Sequence, residues 1–277
     1  MTTGPDSTAR LNRPAGWWAG VRRQPAAFLM AVAFLTRVPV RQRLLERTGP
    51  PAALLRASVV YFPLVGALVG LATATVVVCS SLFWPVWLAV VLGLAAEAVL
   101  TGAFHEDAVA DFCDAFGGGW TRDDVLRILK DSRVGSFGAL GLMLAVAGRA
   151  GSLAALDPAV LVPAAVASAC LGRWVILLVM ATLPPVSDRP SLAGDVGERL
   201  SARDVAFGGL IAVPGVVAWG LIAPGRVAVA VTVLLLFALA FVAYVRRRIG
   251  GVTGDCLGCA CYAGQLLVLL VASARPA

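Results

Sequence analysis

Long apolar stretches alternate with short polar connections from residue 57 almost to the end of the chain. A helix needs about 20 apolar residues to cross the roughly 30 Å hydrocarbon core of a bilayer, and most of these stretches approach that length. The pattern predicts an all-α, polytopic integral membrane protein with about seven transmembrane helices, in a range of roughly six to eight. The predicted spans are about 57–79, 86–104, 137–156, 159–182, 205–223, 227–245 and 262–274, the last being short.

The segment before the first span divides into two parts. Residues 1–27 are polar and basic, and we expect a flexible N-terminal arm. Residues 28–40 are apolar but too short to cross a bilayer comfortably, which favours an interfacial or re-entrant segment. Residues 28–277 are expected to form a single helical membrane domain, with the lipid bilayer as its surroundings.

Composition and charge agree with this interpretation. With 59% hydrophobic and 14% charged residues and a mean hydropathy of +0.86, the chain is too apolar for a soluble domain. The net charge of +7 indicates orientation in a membrane, not a nucleic-acid partner. Seven membrane crossings place successive loops on alternate sides of the membrane. Nearly all of the 23 Lys and Arg residues then lie on the same side as the N-terminus. The positive-inside rule places that side in the cytoplasm.

A cluster of carboxylates begins where the second apolar stretch ends. Asp107, Asp111 and Asp114 stand at i, i+4 and i+7, which puts them on one face of a helix. Three like charges on one stripe repel one another unless water solvates them or a cation binds them. Carboxylate oxygens are hard ligands that suit Mg²⁺, or Mn²⁺, better than zinc. The spacing therefore suggests a metal-phosphate site on the cytoplasmic face, although an ordinary acidic helix start facing water has the same spacing.

Two neighbours of this cluster depend on whether the helix is continuous. In an unbroken helix Glu97 would lie at the edge of the aspartate stripe and His105 would face away from it. Glu97 is then a candidate auxiliary carboxylate, or a residue facing a polar gap in the bundle. Gly102 could break the helix and re-aim His105.

Further polar motifs follow on the same side of the membrane. Thr121 can cap a short amphipathic helix with Asp123 and Asp124 in its first turn. The next loop places an acid, a hydroxyl and a guanidinium before a glycine turn, which could grip a phosphate or could be a capped turn entering the next span. The residues of that loop are Asp131, Ser132, Arg133, Val134, Gly135, Ser136, Phe137 and Gly138, and Lys130 precedes it.

Two arginines fall inside apolar spans. Arg173 is a functional candidate because a charge within a membrane is costly unless paired or hydrated; a salt bridge, for example to Glu97, is the alternative. For Arg149 a structural role carries more weight.

The region 250–259 is rich in glycine and contains Gly254 and Asp255. It could close over a phosphate or bind a second metal ion, or it could be a plain flexible loop. The group Cys256, Cys259 and Cys261 would need a fourth ligand from elsewhere to hold zinc or an iron–sulfur cluster, and the chain has one His.

The combination of motifs resembles the cobalamin synthases, the adenosylcobinamide-GDP ribazoletransferases. The central family motif, approximately His-x-Asp-Gly-x-Ala-Asp-x-x-Asp-Gly, is matched by His105, Asp107, Ala110, Asp111 and Asp114. Its two glycines are replaced by Ala108 and Ala115, which strengthens the helix and denies a close approach. The other matching pieces are Phe34-Leu-Thr-Arg-Val-Pro39, Tyr61-Phe-Pro-Leu-Val-Gly66, Asp131-Ser-Arg-Val-Gly135 and Thr253-Gly-Asp-Cys-Leu-Gly258.

The resemblance implies a reaction and a set of roles. The reaction is Mg²⁺-dependent transfer of the cobinamide phosphate from adenosylcobinamide-GDP to α-ribazole or its 5′-phosphate, with release of GMP, at the inner membrane. Asp107, Asp111, Asp114 and Asp255 would hold metal, and either His105 or one of the aspartates would accept the proton of the attacking hydroxyl. The expected phosphate-binding residues are Arg37, Lys130, Asp131, Ser132, Arg133, Arg173, Gly254 and Asp255.

Two other functions stay open at this stage. A membrane phosphotransferase resembling the CDP-alcohol phosphotransferases would also carry aspartates at cytoplasmic helix ends, but Asp111 stands where that motif has an Arg. A transporter would also have several spans and buried charges, but the chain shows no convincing internal repeat. Self-association and contact with other enzymes of the same pathway are left open by the sequence.

Overall fold

The computed structural model describes residues 17–46, 51–186 and 200–275, and in these ranges the chain is helical with no β-strand. A single-turn 3₁₀ helix, Val59–Tyr61, joins the third and fourth helices. The α-helices are α1 (Trp17–Leu35), α2 (Gln42–Glu46), α3 (Pro51–Ser58), α4 (Phe62–Ser81), α5 (Val86–Thr101), α6 (Phe104–Gly118), α7 (Arg122–Ile128), α8 (Ser136–Ala154), α9 (Pro158–Thr182), α10 (Ala202–Ile222), α11 (Pro224–Ile249) and α12 (Gly254–Ser273).

Within the described ranges, six segments are long and apolar enough to cross a membrane: Pro51–Ser81, which joins α3 and α4, and helices α8 to α12. Helices α5 and α6 pass the same criteria only as a pair, and the chain bends by 91° between them. Counted as one broken span, they make a seventh. The predicted all-α, polytopic architecture is confirmed.

The two ends of the membrane domain differ from the prediction. Helix α12 begins at Gly254 and not near residue 262, because Thr253 caps it: the Thr253 side chain accepts the Cys256 N–H. The expected glycine-rich region is therefore a loop only at residues 250–253, and from Gly254 onward it forms the first turns of a helix. At the other end α1 begins at Trp17, so part of the expected arm is helical, and residues 1–16 lie outside the described residues.

Helix α9 is the central element, with most of its span buried between α4, α10 and α12. Small residues bring the backbones together, as is common between membrane helices. A Cβ at Gly66 of α4 would overlap the Ala169 carbonyl of α9, and a Cβ at Gly172 would lie 2.7 Å from the Cys261 carbonyl of α12. Helices α8, α10 and α11 leave most of their apolar surface exposed, as expected of helices that face lipid.

The break between α5 and α6 is made by two residues in the left-handed region, Gly102 at φ 71° and Ala103 at φ 56°. The end of α1 packs against this break. Phe34 meets the ring of Phe104 edge-on, and the Arg37 N–H donates to the Leu100 carbonyl at 2.7 Å. The bend re-aims α6 relative to α5, so Glu97 of α5 does not continue the helical face that carries the aspartates of α6.

Candidate active site

Helix α6 carries its three aspartates on one side and its buried residues on the other, where Glu106 lies 3.9 Å from Arg149. Asp107 is exposed and Asp111 and Asp114 are half-buried, whereas His105 and Ala108 are buried. The predicted single helix for the three aspartates is therefore observed. The buried side includes Ala108, whose Cβ would overlap a Cβ at Gly258 of α12. Gly258 thus supplies the close approach that a glycine at position 108 would otherwise allow.

This close packing brings the start of α12 beside the aspartates. Asp255 lies in the first turn of α12, where a negative charge is favoured by the helix dipole. The carboxylates of Asp107, Asp255 and Asp114 all lie near enough to repel that of Asp111. Carboxylates from two helices that are distant in the sequence therefore lie within electrostatic range of Asp111.

The donors of this cluster suit a hard divalent cation, because they are carboxylate oxygens that repel one another in the absence of a positive charge. Within the described residues, however, no three Asp, Glu, His or Cys side chains already stand as a closed set of metal ligands. The chemistry of the donors fits Mg²⁺ or Mn²⁺, but the carboxylate side chains would have to move closer together to bind one ion.

Asp114 has a second set of partners at the start of α8. One of its oxygens accepts the Gly135 N–H at 2.6 Å, and the other accepts the Gly138 N–H at 2.7 Å. The predicted glycine turn is therefore present, but these two N–H groups bind the carboxylate of α6.

The loop before that turn is held by its own ion pair. Both Asp131 oxygens accept bonds from the Arg133 guanidinium, at 2.6 Å for the shortest contact. This guanidinium holds the pKa of Asp131 down at about 2. A cavity of about 450 Å³ opens here, lined by Asp114, Gly118, Ile128, Asp131, Arg133, Val134, Gly135, Ser136 and Phe137. The loop and Asp114 thus share one cavity, and Arg133 stays exposed beside it.

The remaining expected phosphate ligands lie in different surroundings. Arg37 is exposed and lies over the α5–α6 break, where a Cβ at Gly102 would overlap its guanidinium. Lys130 and Ser132 are exposed next to the Asp131–Arg133 pair. Gly254 is half-buried in the first turn of α12, and a Cβ there would meet open space.

Glu97 is part of a buried ion pair and not of the aspartate cluster. Its oxygens accept bonds from Arg149 at 2.9 and 3.1 Å and from Thr73 at 2.9 Å. The side chains of Glu97 and Arg149 are 4% and 3% exposed. An auxiliary metal role for Glu97 is wrong for this arrangement, and its predicted alternative, a polar gap in the bundle, is what the structure has. Its partner is Arg149 and not Arg173.

His105 and Arg173 lie on the buried side as well. Arg173 is fully buried and donates to the Ala169 carbonyl at 3.2 Å. His105 is 2% exposed, and its Nε2 has no partner in the described protein. The structure therefore does not bring either residue to the exposed carboxylate face where the sequence analysis expected them to act. His105 faces away because it lies two residues before Asp107, which is about 200° around α6. Arg173 belongs to α9, the buried central helix.

One residue of the site region was missed by the sequence analysis as a functional candidate. Arg248 donates to the Phe116 carbonyl at 3.2 Å and to the Gly119 carbonyl at 2.6 Å, which fixes the C-terminal end of α6 to α11. The sequence showed it only within a run of three arginines typical of a cytoplasmic helix end. No sequence pattern predicts its contacts with α6, because its partners there are backbone carbonyls.

The three clustered cysteines are buried within α12 as free thiols. No described His, Asp or Glu completes a metal site with them. They pack in the interior as small apolar residues.

These features define an integral membrane protein with a carboxylate cluster and a glycine turn at neighbouring helix ends. Residues 27–273 match the cobalamin-5-phosphate synthase family, and the chain belongs to that family. The family resemblance drawn from the short motifs is thereby confirmed.

Relatives in several bacteria support the same assignment. The chain is 36% identical over 257 residues to the adenosylcobinamide-GDP ribazoletransferase of Ralstonia nicotianae, covering 91% of this chain and 96% of the relative. It is 38% identical over 256 residues to that of a Polaromonas species, covering 83% and 90%. It is 35% identical over 258 residues to that of Vibrio cholerae, covering 91% and 94%. No solved structure matches the chain.

Proposed function

We propose that the protein transfers the cobinamide phosphate of adenosylcobinamide-GDP to α-ribazole, or to its 5′-phosphate, and releases GMP. The relatives named adenosylcobinamide-GDP ribazoletransferase are similar over almost their full length, which supports this reaction. It is favoured over a CDP-alcohol phosphotransferase or a transporter, neither of which has an observation of its own.

The observation that carries the proposal is the gathering of carboxylates from α6 and α12. A diphosphate carries several negative charges, and breaking it requires a cation to neutralise the leaving phosphate. Asp107, Asp111 and Asp255 are the residues that would hold Mg²⁺, with Mn²⁺ as a substitute. When bound, this ion would neutralise charge on the diphosphate.

The protein's own residues would bind and orient the two substrates. Arg133, which lines the cavity of Asp114, and Arg37, which lies at the α5–α6 break, are both exposed and would neutralise phosphate oxygens. The hydroxyl oxygen of α-ribazole would form the new bond to the phosphorus that carries cobinamide, while the bond from that phosphorus to the bridging oxygen breaks and GMP leaves.

The proton of the attacking hydroxyl needs an acceptor on the exposed side of α6. Asp107 and Asp111 both lie there, whereas His105 is buried on the other side. We therefore assign the proton to one of these two carboxylates. The buried Arg173 is assigned a role in the interior of the bundle and not a direct phosphate contact.

The orientation of the protein is part of the proposal. Nearly all of the Lys and Arg residues lie on the side that holds the carboxylate cluster and the N-terminus. We place that side in the cytoplasm and the protein in the inner membrane, where nucleotide substrates are available.

The test is turnover by the purified protein in detergent or lipid. Adenosylcobinamide-GDP and α-ribazole are supplied with and without Mg²⁺, and GMP and the corrinoid product are followed by mass spectrometry. We expect both products to form only with the metal ion. Product formation that is unaffected by removing all divalent ions would contradict the metal role, and conversion of a CDP-alcohol in place of these substrates would contradict the reaction.

A matched pair of variants connects turnover with the site. Asp111→Asn should abolish activity, whereas Asp123→Asn should retain it, because the Asp123 side chain is 93% exposed on α7, outside the cluster. Both proteins should insert and purify alike.

A further inference from the structure

Asp114 is bonded differently from the other carboxylates of the cluster. Each of its two oxygens accepts a short backbone hydrogen bond, one from Gly135 and one from Gly138. Gly135 is the N-cap of α8 and Gly138 lies in its first turn. The first N–H groups of a helix have no partner within the helix and favour a negative charge. Asp114 therefore caps the start of α8 from a neighbouring helix.

The Asp114 carboxylate occupies the space that a side chain at Gly135 or Gly138 would need. A Cβ at Gly135 would lie 2.6 Å from an Asp114 oxygen, and a Cβ at Gly138 would overlap the other oxygen. Any larger residue at either position would push the carboxylate away from the N–H groups. Asp114 thus explains the glycine at position 135, and Asp114 together with the Ala110 carbonyl, 2.7 Å from a Cβ, explains the glycine at position 138. Neither glycine needs a direct contact between the backbone and a substrate.

The hydrogen bonds of Asp114 to the start of α8 determine the position of the loop that precedes this helix. Asp131 and Arg133 pair within this loop, and Asp114, Gly135 and Arg133 line the same cavity. Fixing Gly135 at one end of the loop fixes where the Arg133 guanidinium stands. A shift of about 1 Å in such a group is enough to weaken the binding of a charged substrate.

A metal ion does not need Asp114. Mg²⁺ prefers about six oxygen ligands and usually takes only one or two carboxylates, with the rest from substrate phosphates and water. Asp107, Asp111 and Asp255 already supply more than that number. Ligation by Asp114 would compete with two charge-assisted hydrogen bonds to the α8 N-terminus.

We propose that Asp114 is a positioning residue that holds the Asp131–Gly135 loop and the start of α8, and that it is not a metal ligand. The effect of this positioning on catalysis rests on the proposed function, but the hydrogen bonds of Asp114 can be tested without any turnover. This positioning role differs from the metal-binding role that the family resemblance gives to Asp114.

The test compares the same chemical change at two positions of α6. In Asp114→Asn the amide group can accept only one of the two N–H bonds, so amide hydrogen exchange in residues 135–141 should rise by at least tenfold. In Asp111→Asn it should stay within twofold of the unchanged protein. Exchange that is unaffected by Asp114→Asn would overturn the proposal whether or not the protein turns over.

Kinetics of Asp114→Asn separate positioning from metal binding. For Asp114→Asn we expect a KM for adenosylcobinamide-GDP at least fivefold higher and an Mg²⁺ concentration for half-maximal activity within twofold of the unchanged protein. An Mg²⁺ requirement raised tenfold or more would instead identify Asp114 as a metal ligand and overturn the proposal.

A glycine substitution tests the same contact without altering a carboxylate. Gly138→Ala should reproduce the effects of Asp114→Asn on exchange and KM, because its Cβ displaces the Asp114 oxygen. That Cβ would also lie 2.7 Å from the Ala110 carbonyl, so Gly135→Ala, whose Cβ would meet only Asp114 atoms, must give the same result. Gly141→Ala is the matched control: it is also on α8 and would crowd Cys113 of α6, not Asp114. Equal effects from Gly138→Ala and Gly141→Ala would show a general packing defect and would count against the proposal.

Discussion

Arg149 of α8 donates to both carboxylate oxygens of Glu97 on α5, in a part of the bundle where neither side chain is more than 4% exposed. The guanidinium also stacks over the ring of Tyr262 on α12, 4.8 Å from its centre. The guanidinium also lies 3.9 Å from the Glu106 carboxylate of α6, so its contacts join four helices, α5, α6, α8 and α12. A buried charge without a partner is expensive, whereas a buried pair is often replaceable by apolar residues.

We expect Glu97→Leu to lower the free energy of unfolding by about 3–5 kcal/mol, since it leaves Arg149 without its principal partner. The double variant Glu97→Leu with Arg149→Met should recover part of that loss, because Glu106 then loses its contact with Arg149. Unfolding in mixed micelles with a denaturant measures both values. A double variant that is less stable than Glu97→Leu would show that the two residues do not act as a pair.

Arg248 should stabilise the aspartate helix from its C-terminal end. Arg248→Met removes charge-assisted bonds to the Phe116 and Gly119 carbonyls and should cost about 1.5–3 kcal/mol, seen as a lower Tm in detergent. Arg247→Met is the control, because the neighbouring Arg247 is exposed. Equal losses of Tm for the two variants would remove the assigned role of Arg248.

The bend between α5 and α6 should matter for Arg37. In Gly102→Ala the alanine must adopt the left-handed backbone conformation, and its Cβ meets the Arg37 guanidinium. We therefore expect a loss of stability of about 1–2 kcal/mol and a raised KM for adenosylcobinamide-GDP.

Gly250→Ala provides a matched control for that change. Gly250 has φ 76°, but a Cβ there meets nothing within 4 Å. It should lose a similar amount of stability and keep its KM. If both variants keep the KM of the unchanged protein, Arg37 does not contact the substrate.

Local patterns in the sequence were sufficient for much of this arrangement. The i, i+4 and i+7 spacing of Asp107, Asp111 and Asp114 predicted one helix, and α6 contains all three. Thr121 was predicted to cap a short helix, and it forms a reciprocal cap with Asp124 at the start of α7. Both depend on residues a few positions apart, where helix geometry alone decides the outcome.

Pairings between distant helices could not be predicted in the same way. The sequence offered Arg173 as a partner for Glu97, but the bundle places Arg149 there. It offered the glycine turn at Gly135 as a phosphate grip, but that turn binds Asp114. Each of these contacts depends on which helices are adjacent and on how they rotate, and a one-residue shift along a helix turns a side chain by about 100°.

The nearness of Asp255 to the aspartates of α6 is the relationship on which the proposed metal site depends most. The most direct measurement is the Mg²⁺ dependence of GMP release by Asp255→Asn beside Asp123→Asn, at saturating adenosylcobinamide-GDP and α-ribazole. We predict that Asp255→Asn lowers turnover by about 100-fold at the Mg²⁺ optimum of the unchanged protein while Asp123→Asn does not, because the former removes a ligand from α12. Turnover and Mg²⁺ dependence that are unchanged in Asp255→Asn would contradict a site shared between α6 and α12.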